Sequence, residues 1–382
     1  EREPPPVPGP VIRRLWTPER RADLHAALPP WIVARLLVVV GYVLVAAAAD
    51  EFAPHGATPK LDQHLLAWDG DWYDAIADQG YGGLPDEAVR FFPLFPLFGR
   101  VGGWLLAGNQ GLALLVVANL AALGAGMLIH RLALEETDDP ALARRAAWFI
   151  ALFPGAFVLV WGYAEAVMLV ALIGSFLALR RHAWWAVAAL GVAAGLSRPI
   201  GLFLVLPALW EASRGWRETV GRERLARVAA VLGAPIGVLS YLVYTAVTGP
   251  GFTAPLTEQS PYRGAVTDPV SRLVDAMGDL VSADRLGDAV HPPMALLFIF
   301  LAVVVVRRWP VRYALYTVPV LVLALSAESF NSLERYGLNA FPLVLALATV
   351  TKRPEAERAA LALGAASVVA LTSLSWVGNY VP

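Results

Sequence analysis

Apolar stretches long enough to cross a bilayer recur along almost the whole of this 382-residue chain, and no other property of the sequence restricts its fold so severely. About 20 helical residues cross roughly 30 Å of hydrocarbon. By that rule spans are expected near Trp31–Ala49, Gly111–His130, Arg145–Gly162, Tyr163–Leu179, Trp184–Leu196, Pro199–Trp210, Val228–Val247, Pro293–Val306, Val311–Ser326, Gly337–Val350 and Ala359–Val377. They predict an all-α polytopic integral membrane protein with about eleven transmembrane helices. Only 16% of residues are charged, against roughly 25% in soluble domains. The absence of cysteine removes disulfides, thiolate nucleophiles and cysteine metal sites. A net charge of −1 argues against a nucleic-acid partner, which requires clustered basic surface.

Charge sets the expected topology. Trp184–Leu196 and Pro199–Trp210 are short and could be one helix kinked at Pro199. Kept separate, they leave Arg13 to Arg21, Arg131 to Arg145, Arg180 and Arg181, Arg214 to Arg227, Arg307 to Arg312, and Lys352 to Arg358 on one side. The positive-inside rule makes that side, and the N-terminus, cytoplasmic. The chain then reads as a flexible cytoplasmic tail over 1–30 and one transmembrane domain over 31–382, in the plasma membrane. Two extracytoplasmic loops stand out, an acidic first loop over 50–110 and a long one over 249–291.

The first loop holds the densest chemistry. Leu61 to Gln79 contains no proline, and its apolar residues recur at three and four, which predicts an amphipathic helix. On a wheel Leu65, Leu66, Trp72, Tyr73 and Ile76 share one face, Asp71, Asp74 and Asp78 the opposite one, and Asp69 falls with the apolar set. In a helix lying on the outer leaflet, Asp69 alone would point into the protein. A plainer reading makes Asp69 the N-cap of a helix starting at Gly70, accepting from the Trp72 amide. The run Phe91-Phe92-Pro93-Leu94-Phe95-Pro96 is expected to be an interfacial aromatic anchor ahead of a second amphipathic helix. The same rings could instead line a groove for a lipid chain.

Glu165, Arg198 and Arg335 sit at predicted outer ends of spans, where an unpaired ion is costly and function is the default expectation. Arginine suits phosphate because its planar fork stays charged and donates two bonds at once. The competing reading is a Glu165–arginine pair that only locks helices. Glu334, next to Arg335, is expected to point elsewhere, while Asn331, Tyr336 and Asn339 are candidates for polar contacts. His64 reads as a solvated loop residue, and His55 and His291 as external and isolated. No metal-ligand spacing appears, and no Walker or dinucleotide motif. Magnesium or manganese needs few protein ligands, so a divalent cation on Asp69 and nearby carboxylates is left open.

Trp68-Asp69-Gly70-Asp71-Trp72-Tyr73 through Ile76-Ala77 to Gly80-Tyr81, followed by Phe91-Phe92-Pro93-Leu94-Phe95-Pro96, resembles the signature of the PIG-V-like mannosyltransferases. These relatives of GPI mannosyltransferase 2 belong to the type C (GT-C) glycosyltransferases. The likeness continues through Tyr163-Ala164-Glu165, with alanine where the family commonly has serine, then Ser197-Arg198-Pro199-Ile200-Gly201 and Arg335-Tyr336. It implies a GT-C-like fold with amphipathic helices in the first external loop, and an enzyme using a polyprenyl-phosphate-sugar donor. Asp69 matches the reactive acidic position and Asp71 a variable one.

On that resemblance Asp69 is the expected general base of an inverting transfer to a glycolipid, glycan or protein hydroxyl. Arg335 and Arg198 are the expected donor-phosphate ligands. Glu165, Trp72, Tyr73, Asp71, Tyr336 and Tyr163 are expected to bind or orient substrate. The rival reading is a lipid-linked-sugar flippase or transporter, whose charges should line a path near the bilayer midplane.

Overall fold

The computed structural model describes residues 17–52, 60–282, 286–380 and 382; Arg13, Arg14 and His55 lie outside them. Its main helices are α1 (Pro18–Phe52), α2 (Asp69–Gln79), α3 (Leu94–Leu105), α4 (Gln110–Thr137), α5 (Pro140–Leu152), α6 (Glu165–Arg180), α7 (Trp184–Ser197) and α8 (Val205–Ser213). They continue with α9 (Gly221–Thr248), α10 (Pro269–Ser282), α11 (Leu286–Arg308), α12 (Val311–Leu325), α13 (Leu333–Asn339), α14 (Pro342–Val350) and α15 (Pro354–Trp376). The only pairing of extended backbone among the described residues is an isolated bridge between Val266 and Ala327.

The fold is all-α and polytopic. Five described helices, α1, α4, α9, α11 and α15, are long and apolar enough to cross a membrane. The other stretches expected as spans form shorter helices, from nine residues in α8 and α14 to 16 in α6. Residues 18–30, expected to belong to the tail over 1–30, are helical, because α1 begins at Pro18. Asp23 anchors that first part: its carboxylate lies 2.7 Å from His130 Nδ1 and accepts from Arg131 Nε at 3.0 Å.

Helix α6 runs through the centre of the bundle, with every residue from Glu165 to Leu169 and from Ala171 to Leu179 buried. A helix apolar all round has no solvent face to offer, so it is enclosed by its neighbours. Beside it, α7 and α9 meet backbone to backbone. A Cβ on Gly195 would lie 2.4 Å from Ala234 O, and one on Gly237 2.4 Å from Val192 O. Paired small residues four apart on both helices, Gly191 and Gly195 against Gly233 and Gly237, permit this approach.

Proline after Arg198 disfavours helical geometry at that residue. Accordingly Arg198 is extended (φ −161°, ψ 154°), and the chain passes through a 3₁₀ segment, Pro199–Leu204, before α8. It also turns back, since Ala208 and Ala212 of α8 pack in one cluster with Trp184 and Val187 from the start of α7. The two short apolar stretches are therefore separate helices, both packed on α9, rather than one kinked helix.

Candidate active site

The stretch Leu61–Gln79, expected as one continuous helix, is split into a 3₁₀ segment, Leu61–Leu66, and α2. His64 (φ 50°, ψ −126°) and Trp68 (φ 62°, ψ −117°) both leave helical geometry. Tertiary hydrogen bonds override the local helical pattern there. Trp376 Nε1 donates to His64 O at 2.8 Å, Trp68 Nε1 donates to Ser375 O at 2.9 Å, and Lys60 N donates to Trp376 O at 2.7 Å. The end of α15 thus straps the loop down. A left-handed, non-glycine residue costs about 1–3 kcal/mol, and it directly precedes Asp69.

Asp69 opens α2, with Trp68 as the N-cap residue. The capping bond of the plainer reading is not made; instead Asp69 Oδ2 accepts from Arg335 Nη1 at 2.6 Å. Asp69 Oδ1 has no protein partner among the described residues, and the side chain borders a cavity of about 440 Å³. Tyr73, Ile76 and Ala77 bury the apolar face of α2, while Asp71 and Asp78 are exposed. Asp74, expected to be solvated with them, is half-buried against α4; a Cβ on Gly111 would meet its carboxylate at 3.3 Å. Burial, then the charges of Asp71 and Asp78, push the Asp74 carboxyl above its ordinary value.

Behind Asp69 stands a chain of charges. Glu165 is fully buried and Arg335 is 3% exposed. Glu165 Oε1 accepts from Arg198 Nη1 and lies 3.0 Å from Arg335 Nε. The second contact is off the axis of a hydrogen bond, leaving Arg335 Nε and Glu165 Oε2 without hydrogen-bond partners. Two acids and two arginines from four segments thus form one neutral quartet, Asp69–Arg335–Glu165–Arg198. The expectation that Glu165 pairs with an arginine describes part of this; it pairs with two, and through Arg335 reaches Asp69.

The elements holding the quartet are themselves fixed. Glu165 starts α6 after an irregular buried segment whose carbonyls find donors from neighbouring helices. Arg35 Nη2 donates to Leu159 O at 3.0 Å and Asn119 Nδ2 to Val160 O at 3.0 Å. Non-helical backbone inside such a bundle requires partners of this kind. Helix α13 carries Arg335 and packs its backbone on Gly155, where φ is +82° and a Cβ would lie 2.9 Å from that of Glu334. Glu334 points away from Arg335, as expected, but His291 is not isolated. Buried His291 Nδ1 lies 3.0 Å from Glu334 Oε1, and Tyr380 OH donates to Glu334 Oε2 at 2.6 Å.

Asp69, Asp71, Trp72, Tyr73, Arg198, Arg335 and Tyr336 all line the cavity. Tyr163 sits behind it, its hydroxyl 3.3 Å from both Ala67 O and Asp69 N, with the Arg335 guanidinium 5.2 Å above its ring. Burial raises the Tyr73 phenol above its ordinary value, so it stays protonated. Phe91 and Phe92, expected at the membrane interface, are buried and wall the cavity, and Phe95 is fully buried. Leu97, Phe98, Val101, Trp104 and Leu105 of α3 carry the exposed apolar surface instead. Asn331 borders the cavity, whereas Asn339 is buried away from its wall.

Sequence reasoning missed Lys60, Arg90, Tyr262 and Arg263 on the same wall. Arg90 immediately precedes the Phe91-Phe92-Pro93 run, which was the available signal; Tyr262 and Arg263 lie in the long 249–291 loop. No set of three or more histidine, aspartate or glutamate side chains among the described residues is arranged to hold a metal ion.

No family model matches the sequence, and no curated protein matches it. The chain is similar in structure to the Archaeoglobus fulgidus oligosaccharyltransferase crystallised with zinc and sulfate, at 14% identity and a TM-score of 0.49, covering 92% of this chain and 53% of that one. The apo form gives the same identity and TM-score, with 93% and 56% covered. The archaeal oligosaccharyltransferase AglB of that organism, in complex with an inhibitory peptide and a dolichol-phosphate, gives 14% identity and a TM-score of 0.45. The chain spans a little over half the length of these structures.

Proposed function

We propose that this protein is a membrane glycosyltransferase of the GT-C type. In this reading it moves a sugar, mannose on the PIG-V-like resemblance, from a polyprenyl-phosphate carrier to a hydroxyl of a glycolipid, glycan or protein. The reaction takes place at the extracytoplasmic face of the plasma membrane, with the N-terminus in the cytoplasm. One observation carries the reading: a carboxylate with one oxygen tied to an arginine and the other open to an aromatic, cation-rich cavity. That cavity lies at the end of the bundle opposite the arginine clusters at Arg180, Arg181 and Arg312, the end that the positive-inside rule assigns to the exterior.

The chemistry is a single in-line displacement. The acceptor hydroxyl gives its proton to Asp69 Oδ1 as its oxygen bonds the anomeric carbon, the bond from that carbon to the phosphate oxygen breaks, and configuration inverts. Arg335 fixes the carboxylate through Oδ2. Arg335 and Arg198 favour the departing lipid phosphate by their field. Glu165 orients both arginines, and Trp72, Tyr73, Asp71, Tyr163 and Tyr336 shape or support the sugar site. Asp69, Glu165, Arg198 and Arg335 gather at one end of the bundle rather than along a path across it, so transport is not adopted.

The test is direct. Purified full-length protein, given a panel of radiolabelled polyprenyl-phosphate sugars with membrane extract, should release labelled sugar into a chloroform-soluble or glycan product. Absence of transfer from every donor, with folded protein, would remove the reading.

A further inference from the structure

Arg335 and Arg198, the arginines expected to grip an anion, are already matched to Asp69 and Glu165. A guanidinium committed to a carboxylate has little left for an incoming phosphate. Other cations on the wall are in a different state. Five cationic side chains line the cavity, Lys60, Arg90, Arg198, Arg263 and Arg335, against the carboxylates Asp69 and Asp71. With buried Glu165 added, cations still outnumber acids by two.

Arg90 has no ion-pair partner among the described residues, and its Nε is buried without a hydrogen-bond partner. It is held by rings instead, its guanidinium 3.8 Å from the centre of Tyr262 and 4.6 Å from that of Phe91. Tyr262 is fixed in turn by donating to Glu87 Oε2 at 2.9 Å. Stacking orients a guanidinium while leaving its in-plane N–H groups free. Arg263, next to Tyr262, is the second such group. One of its nitrogens, Nη2, donates to Leu323 O at 2.9 Å, and its guanidinium lies 4.9 Å from the Tyr336 ring centre.

We infer that Arg90 and Arg263 form an anion receptor for a phosphate ester at the cavity wall, resting on the proposed function for its place in a donor site. Arg335 and Arg198 then orient Asp69 and Glu165 instead of making the direct phosphate contacts. The phosphate would enter between two ring-stacked guanidinium groups and supply the charge-assisted bonds they lack.

Farnesyl phosphate, binding to the full-length protein in phosphatidylcholine nanodiscs, tests this. Arg90→Gln and Arg263→Gln should each weaken it by about tenfold or more, the usual scale for a hydrogen bond to a charged group. Arg90→Lys should retain part of the affinity, and the neutral alcohol farnesol should bind all variants alike. Thermal unfolding of each variant checks that the fold persists. Inorganic phosphate is the second probe: tighter binding of farnesyl phosphate assigns the receptor to a lipid phosphate, and equal binding with the same arginine dependence assigns it to free phosphate. Wild-type affinity for farnesyl phosphate in folded Arg90→Gln and Arg263→Gln would overturn the inference, as would no binding by wild type. Sugar transfer measured in parallel separates the two claims. No transfer despite arginine-dependent binding would sink the glycosyltransferase reading and keep the receptor.

Discussion

Helix α6 has an ion cluster at each end, about 22 Å apart by helical rise, buried at its start and partly exposed at its end, and the two behave differently. At its start Glu165 serves two arginines, and the chain of charge ends on an Asp69 oxygen open to a cavity. Around its end, Glu135 and Glu136 use both oxygens of both carboxylates. Glu135 takes Arg181; Glu136 takes Arg180, Arg312 and Tyr313 OH, and Arg312 continues to Glu211 at 3.0 Å. Ion pairs alone therefore do not distinguish a site from a clamp. The open carboxylate oxygen and the ring-held cations beside it do.

The largest effect that could break this contrast is on rate. Asp69→Asn keeps the shape but cannot take a proton, so on the proposed function sugar transfer by the purified protein should fall about 100-fold to 10,000-fold. Secondary structure should be unchanged by circular dichroism. Full activity in the folded variant would reduce the Asp69 cluster to a second clamp.

Next in size is Glu165→Gln. Removing one partner from a buried ion network leaves its counter-charges uncompensated and costs about 3–5 kcal/mol. Here two guanidiniums, one of them on a residue 3% exposed, would face each other across a neutral amide. Chemical unfolding in detergent should show the loss, and wild-type stability would mean the quartet does not hold α6, α7 and α13 together.

At the other end, Glu136→Gln should cost less, about 1–3 kcal/mol, because Arg312 keeps Glu211 and Arg180 keeps Glu135 within 3.9 Å. Turnover per folded molecule should stay at the wild-type value. A fall in turnover at unchanged donor affinity would show that the clamp is coupled to the site.

What the sequence revealed depends on whether one segment contained the cause. Arg198 was legible because the following proline dictates its break. The wheel that sets Asp69 with the apolar residues runs through a helix that does not exist as one piece; Asp69 still meets buried Arg335, because α2 alone keeps the periodicity from Gly70 to Gln79. Arg335 and Glu334 diverge as neighbours on a helix must. The indole clips from Trp68 and Trp376 were invisible, since they join residues more than 300 positions apart and defeat a local helical pattern. Arg90 and Tyr262 meet only in three dimensions, as do His291, Glu334 and Tyr380. Phe91, Phe92 and Phe95 were assigned to the membrane interface because hydropathy cannot separate a ring facing lipid from one facing the core.

Asp74 offers the smallest and most finely graded test, since it is an acid with no ion-pair partner among the described residues. It lies at helical spacing from both Asp71 and Asp78, and burial adds to their repulsion. Because the folded state holds this carboxyl above its ordinary value, the protonated form favours folding. That contribution is complete below about pH 4 and is lost as pH rises through the raised value. At neutral pH, Asp74→Asn should therefore stabilise the protein by about 0.5 kcal/mol, the scale of like-charge pairs on a helix surface. Added salt should shrink the gain by screening, and near pH 4 variant and wild type should converge in thermal midpoint. A gain that persisted at low pH would trace to packing against Gly111 instead of charge, and α2 would then owe its placement to its fit against α4 alone.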